Sequence, residues 1–203
     1  MPNWCNNCVF FYHSDPMKLK QLWNGFYDET LEHRGLFHSM VPLPEALRNT
    51  ISGTSSDKQV QSEREEQYNR NIEEYGFPTW YEFCNAKWGT KWDVYNRSDI
   101  VEDFDTDGFE LKFETAWCAP IEFYTAITKL GFVVDAKFID EGNNYYGYWR
   151  EEDDEKAYNL RNFYDDYDDI PMDLKEYVRE ICNYIRDPDE EEYDYNYDYD
   201  DEE

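Results

Sequence analysis

The hydrophobic pattern of the chain changes period several times, and each change marks an element. Trp4 to His13 contains the run Cys8-Val9-Phe10-Phe11-Tyr12, apolar at both parities. That predicts a central strand covered on both faces. Asp15-Pro16 follows, an N-cap residue before a first-turn proline, and Leu19, Leu22, Trp23 and Phe26 then fall on one face of a helix. Residues 37 to 60 hold Pro42, Pro44, Gly53 and a Ser/Thr cluster, which predicts an irregular surface excursion. A polar helix over Lys58 to Tyr75 has too few apolar positions to be buried. Pro78 opens a short helix, Thr79 to Trp88, ended by Gly89.

The period then becomes two. Trp92 and Val94 share a face in the segment Lys91 to Asn96. Phe109, Leu111, Phe113, Thr115 and Trp117 share the inward face of the next strand, with Glu110, Lys112 and Glu114 outward. Pro120 opens a helix through Leu130, capped by Gly131. Phe132 to Ile139 is a strand with Phe132, Val134, Ala136 and Phe138 inward, and Tyr145 to Arg150 pairs with it across Glu141-Gly142-Asn143-Asn144. Without the insertion at about 37–88 the order is β-α-β-β-α-β. The expected fold class is α+β: a ferredoxin-like antiparallel sheet over residues 1–150 with helices on one face. Residues 151–186 form an acidic segment ending in a helix, Met172 to Arg186. Its stripe of Leu174, Tyr177, Val178, Ile181, Cys182 and Ile185 predicts docking on the domain. Residues 187–203 have no aliphatic side chain and are expected to be disordered in isolation.

Composition sharpens this picture. Trp 7, Tyr 19 and Phe 13 imply a core built from rings. No stretch approaches the ~18 apolar residues of a membrane span. The first residues lack a basic and an apolar leader region, and five cysteines read as reduced thiols, so a cytoplasmic location is expected. The formal net charge is -28. Residues 151–203 hold 23 Asp+Glu and 5 Lys+Arg, so this last quarter carries about two thirds of the excess. Such a surface repels nucleic acid and anionic membranes and attracts basic proteins.

Three local patterns stand in register: Met1-Pro2-Asn3-Trp4-Cys5-Asn6-Asn7, Trp88-Gly89-Thr90-Lys91-Trp92-Asp93, and Phe113-Glu114-Thr115-Ala116-Trp117-Cys118-Ala119-Pro120. Together they resemble the YubB-type ferredoxin-like domain family of phages and plasmids, over roughly residues 1–150. The resemblance implies the fold and a mobile-element origin, and it brings no catalytic residues. Residues from about 151 depart from it. Physically the motifs read as scaffold, with Trp92 and Trp117 packing inward.

Candidate chemistry is sparse. Cys5-x-x-Cys8 invites a metal reading, with Cys84, Cys118, His13, His33 and His38 as further ligands. On a strand, however, Cys5 and Cys8 point to opposite faces, which favours buried structural thiols. No nucleophile motif accompanies the three histidines, and neither GxGxxG nor a P-loop occurs. Asp103, Asp105 and Asp107 suggest a calcium loop, but the ligand spacing is incomplete and a turn before Phe109 fits better. The outward sheet positions are mixed in sign, with Tyr95, Tyr146 and Tyr148 as candidate stacking rings, and direct nucleic-acid binding is disfavoured by charge. In the tail, acids and tyrosines alternate, and alternate residues of an extended chain lie ~6.6 Å apart, similar to successive phosphates. The tail therefore reads either as a solvated run or as a partner-binding element.

The expected function is that of a non-enzymatic phage accessory protein, without cofactor or metal. It would bind a host protein whose basic surface normally holds nucleic acid, by nucleic-acid mimicry, and so inhibit or redirect that protein. The acids expected to carry this are Asp165, Asp166, Asp168, Asp169, Asp194, Asp198 and Asp200. A metal-dependent hydrolase and a structural, oligomer-forming protein are the rival classes.

Overall fold

The computed structural model describes residues 3–27, 35–95, 105, 107–140, 142, 144–150 and 154–186. It is an α+β fold around a five-stranded antiparallel sheet. The strands are β1 (Trp4–Tyr12), β2 (Phe109–Ala116), β3 (Val133–Asp140), β4 (Tyr145–Arg150) and β5 (Asp154–Asn159), in the order β2-β1-β3-β4-β5. All four neighbouring pairs are antiparallel. The strand apolar at both parities, β1, is central, and its two faces enter two different cores.

The first core lies between one sheet face and the helices that precede and follow β2. On the sheet side, Cys5, Val9, Phe11, Leu111, Phe113, Val134, Ala136 and Phe138 are buried. Helix α1 (Pro16–Tyr27) starts where Asp15 accepts from the Met17 N–H at 2.9 Å, and it buries Leu19, Leu22, Trp23 and Phe26. Helix α6 (Ile121–Thr128) adds Phe123, Tyr124 and Ile127. The excursion over 37–60 is not a surface loop. It folds into α2 (Leu36–Met40) and α3 (Glu45–Arg48) and delivers Phe37, Leu43 and Leu47 to this core. Its prolines bend the chain between short helical turns and do not keep it off the domain. The polar helix α4 (Lys58–Tyr75) stays outside as expected, with Asn71 its one buried residue, and α5 (Trp80–Trp88) ends at Gly89 in the left-handed conformation. A buried polar bridge crosses this core. Asn7 Nδ2 donates to the Thr115 hydroxyl at 2.9 Å, and the Tyr124 hydroxyl donates to Asn7 Oδ1 at 3.3 Å.

The opposite sheet face is covered too, which corrects the expectation of helices on one face. Cys8, Ile139, Tyr146 and Tyr148 pack under Leu160, Phe163, Ile170 and the stripe of α7 (Met172–Ile181). Leu174, Tyr177, Val178, Cys182 and Ile185 are buried, so the stripe docks. Tyr146 and Tyr148 are thus core residues, not stacking rings. Strand β5, Asp-Glu-Lys-Ala-Tyr-Asn, has no apolar alternation and escaped the sequence reading. It pairs with β4 over its whole length, across the boundary placed at residue 150. Gly147 permits the pairing, because a Cβ there would lie 2.2 Å from the Lys156 carbonyl oxygen.

Two further expectations fail. Lys91 to Asn96 is not a strand within its described part, and only the bridge Tyr95↔Glu114 forms. The Asp93 carboxylate is drawn instead to the Phe37 and His38 N–H groups of α2, at 3.1 and 2.9 Å, which turns the segment away from the sheet. Trp92 and Trp117 do not face inward. They are 40% and 44% exposed. Trp117 leaves β2 with a φ of 75°, which reverses its parity.

Candidate functional site

Two regions have the makings of a site. The first is the acidic run Asp165-Asp166-Tyr167-Asp168-Asp169. Tight turns fix its backbone, through Asp166 N–H to Asn162 O at 2.9 Å, Asp169 N–H to Asp166 O at 2.9 Å and Ile170 N–H to Tyr167 O at 3.2 Å. Phe163 and Ile170 anchor its ends in the second core. Tyr167 clamps its middle to α7: Lys175 Nζ lies 3.9 Å from the ring centroid and Arg179 Nη1 donates to the hydroxyl at 3.3 Å. Asp165, Asp168 and Asp169 consequently face solvent, with Asp166 half-buried. Burial chiefly, and the Asp166 charge secondarily, raise the Tyr146 phenol beneath the run. Asp194, Asp198 and Asp200 lie outside the described residues.

Three basic residues on this face of the sheet, Lys112, Lys137 and Arg150, are already engaged. Lys112 Nζ lies 2.7 Å from Glu180, and Arg150 reaches Asp135 at 3.1 Å and Asp173 at 2.5 Å. Lys137 sits 3.9 Å from Asp173. The α7 acids thus neutralise the cations of the sheet, while the 165–169 acids stay open to solvent.

The second region is a cavity of about 280 Å³ between α3, α5 and the segment 91–93. Trp88 forms its floor, only 4% exposed, with its indole N–H on the Val41 carbonyl at 2.9 Å. Trp80 forms a wall, its backbone N–H on the Thr50 hydroxyl at 3.1 Å, which ties α5 to the end of α3. Trp92 is the exposed rim, with Lys91 Nζ 3.7 Å over its ring. Arg48, the last residue of α3, bonds Glu45 through Nε at 3.0 Å, while its Nη2 is buried without a hydrogen-bond partner. Burial, and then the Asp93 charge, push the Cys84 thiol up to about 12, against a lowering by Arg48. The thiol is therefore protonated at neutral pH and serves as a wall. Beyond the rim, Trp4 stacks on Tyr95 at 4.4 Å and lies 6.3 Å from Trp92.

Sequence reasoning missed this cavity because three of its nine lining residues, His38, Leu43 and Arg48, come from the segment read as a surface excursion. The signal present was three tryptophans, Trp80, Trp88 and Trp92, close together in the chain.

Other sequence candidates among the described residues serve the backbone, while His33 and Asp103 lie outside the described residues. His13 accepts from the Asp15 N–H through Nδ1 at 2.8 Å, and its Nε2 lies 3.1 Å from the Leu130 carbonyl, so both ring nitrogens serve the backbone. Asp105 accepts from the Asp107 N–H at 2.9 Å, the turn expected before β2. Cys5 and Cys8 occupy opposite faces. No group of three or more His, Cys, Asp or Glu among the described residues is arranged to hold a metal ion. No helix among them is long and apolar enough to cross a membrane.

No family model matches the chain, and no curated protein does. Among solved structures, the protein api92 from Yersinia pseudotuberculosis, of the DUF1281 family, is similar at 9% identity and a TM-score of 0.36. The similarity covers 78% of this chain and 98% of that one, a likeness too distant to carry an argument.

Proposed function

We propose that the protein is a non-enzymatic accessory protein of a phage or plasmid, acting in the host cytoplasm. It occupies the basic, nucleic-acid-binding surface of a host protein and inhibits or redirects it. The carrying observation is the clamped run Asp165–Asp169, in which Asp165, Asp168 and Asp169 face solvent on a backbone pinned by turns and by Tyr167. A pre-ordered row of charges loses less entropy on binding than a floppy one. Asp194, Asp198 and Asp200 of the acidic tail add to the net negative charge of the chain and belong to this reading.

The YubB-type ferredoxin-like relationship belongs to this reading. The adjacency β3-β1-β2, with α1 after β1 and α6 between β2 and β3, is compatible with a ferredoxin-like reading in which the Tyr95 bridge stands for the outer strand. The order supports the assignment, with β4 and β5 as additions on the far edge.

The test is capture of host proteins at low salt, followed by elution with duplex DNA. A partner that is basic, that duplex DNA displaces, and that binds the Asp165→Asn/Asp166→Asn/Asp168→Asn/Asp169→Asn variant more weakly supports the reading. Capture that is insensitive to DNA and to salt would remove it.

A further inference from the structure

We propose that the tryptophan-walled cavity is a binding site for a small, flat, uncharged aromatic molecule, held by contacts with the rings of Trp80, Trp88 and Trp92. This goes beyond the acidic run, which lies on the other side of the sheet. The charges around the cavity come in matched pairs. Arg48 has Glu45 3.0 Å from its Nε, and Lys91 shares the lining with Asp93. An entering anion therefore meets the Asp93 carboxylate, and an entering cation meets the Lys91 ammonium held 3.7 Å over Trp92. A like charge opposes a ligand of either sign, and an uncharged one meets no such penalty.

The polar atoms of the walls already have partners within the chain. Asp93 Oδ1 accepts from the Phe37 and Val94 N–H groups and Oδ2 from His38 N–H. His38 Nδ1 accepts from the Leu43 N–H at 3.1 Å, and the Trp88 indole N–H is on the Val41 carbonyl. The surface left for a ligand is that of the rings, Leu43 and the protonated Cys84, whose sulfur suits an aromatic neighbour. The Trp88 ring is fixed by Phe37 and Phe83, at centroid distances of 5.8 and 6.2 Å. Trp92, 40% exposed, leaves apolar surface in water at the mouth, which a bound ring would cover. The volume sets the size: about 280 Å³ is at the small end for ligand cavities and suits a one- or two-ring molecule.

The experiment uses the full chain at pH 7 and three probes built on one ring system: the uncharged 2-naphthol, the anion 2-naphthoate and the cation 2-naphthylmethylammonium. Calorimetry reads the affinity, and nuclear Overhauser contacts from the probe to the Trp88 and Trp92 indoles report the place. The expected result is saturable binding of one 2-naphthol per chain, about tenfold tighter than either charged probe. Its affinity should not change when about 0.5 M salt is added, since no ion pair holds it. Either charged probe binding as tightly as 2-naphthol overturns the proposal, and so does an absence of saturable 2-naphthol binding or contacts to other rings only. Trp92→Ala should weaken 2-naphthol about tenfold. Trp117→Ala, which removes a comparably exposed ring outside the lining, should leave it unchanged. Far-UV circular dichroism checks that both variants are folded. Equal affinities in the two folded variants would remove the ring contact on which the proposal rests.

Discussion

Cys5 and Cys8 are three residues apart on β1, yet they lie on opposite sheet faces in two separate cores, Cys5 wholly buried and Cys8 at 3% exposure. One metal ion cannot reach both without breaking the strand. The protein purified without chelator should carry no stoichiometric zinc. With Ellman's reagent under native conditions, the half-buried Cys118 should react first, and Cys5, Cys8 and Cys84 only on unfolding. Rapid native labelling of Cys8 would contradict this.

The same thiols should make the fold sensitive to alkali. Burial raises Cys5, and it pushes Cys8 and Cys84 from 9.0 to about 12. A group whose folded value is raised keeps its proton in the native state where the unfolded chain has lost it. Stability is therefore intact below about pH 9 and falls as pH rises from 9 towards 12, by about 1.4 kcal/mol per pH unit for each thiol. Urea unfolding at pH 7, 9 and 10.5 should show a midpoint that is flat at first and then declines. A midpoint that rises above pH 9 would contradict the assignment.

Leu174 is fully buried against the second sheet face. Leu174→Ala should cost about 2–5 kcal/mol by cavity formation. The control Met17→Ala, 76% exposed, should change stability by no more than about 0.5 kcal/mol. Urea denaturation distinguishes the two. A near-neutral Leu174→Ala would mean that α7 is not part of the cooperative fold.

Arg150 joins β3, β4 and α7 through Asp135 and Asp173. Asp173 is 43% exposed, so solvent screens the pair. A double-mutant cycle with Arg150→Met and Asp173→Asn should give a coupling of about 0.5–1 kcal/mol, reduced by 1 M salt. Strict additivity at low salt would show the pair to be energetically silent.

Two truncations test the organisation of the C-terminal part. A chain ending after Arg186 retains β5 and the docked α7, and its thermal midpoint should match the full chain. A chain ending after Arg150 uncovers Ile139, Tyr146 and Tyr148, which are buried under Leu160, Phe163 and α7. It should aggregate or lose cooperative unfolding. A stable, monomeric chain of residues 1–150 would restore that segment as an independent domain.

How much could be read from the sequence depended on how local each cause was. The start of α1 at Asp15-Pro16 and the end of α5 at Gly89 rest on cap chemistry within a few residues, and both were legible. The α7 stripe was legible because helical spacing alone places Leu174, Tyr177 and Val178 together. Asp165–Asp169 were legible as acids, but not their fixed presentation, which needs Lys175 and Arg179 from another element. The cavity was not legible. Arg48 and Trp80 meet only because Thr50 bonds the backbone of α5.

By itself, then, the sequence determined the elements whose period or caps are encoded locally: the doubly apolar β1, the alternating β2 and β3, and the amphipathic α1 and α7. It also determined the acidic field, since charge adds up without regard to fold. The tertiary structure alone decided which rings are buried. Trp92 and Trp117 share the parity of core residues but turn out to solvent, because Asp93 is drawn to α2 and the backbone reverses at Trp117. It also decided that a charged hexapeptide is a strand. Asp154–Asn159 has little strand propensity of its own and pairs because β4 offers an open edge with Gly147 on it. Burial and edge pairing depend on partners distant in the chain, and no local pattern encodes a partner's position.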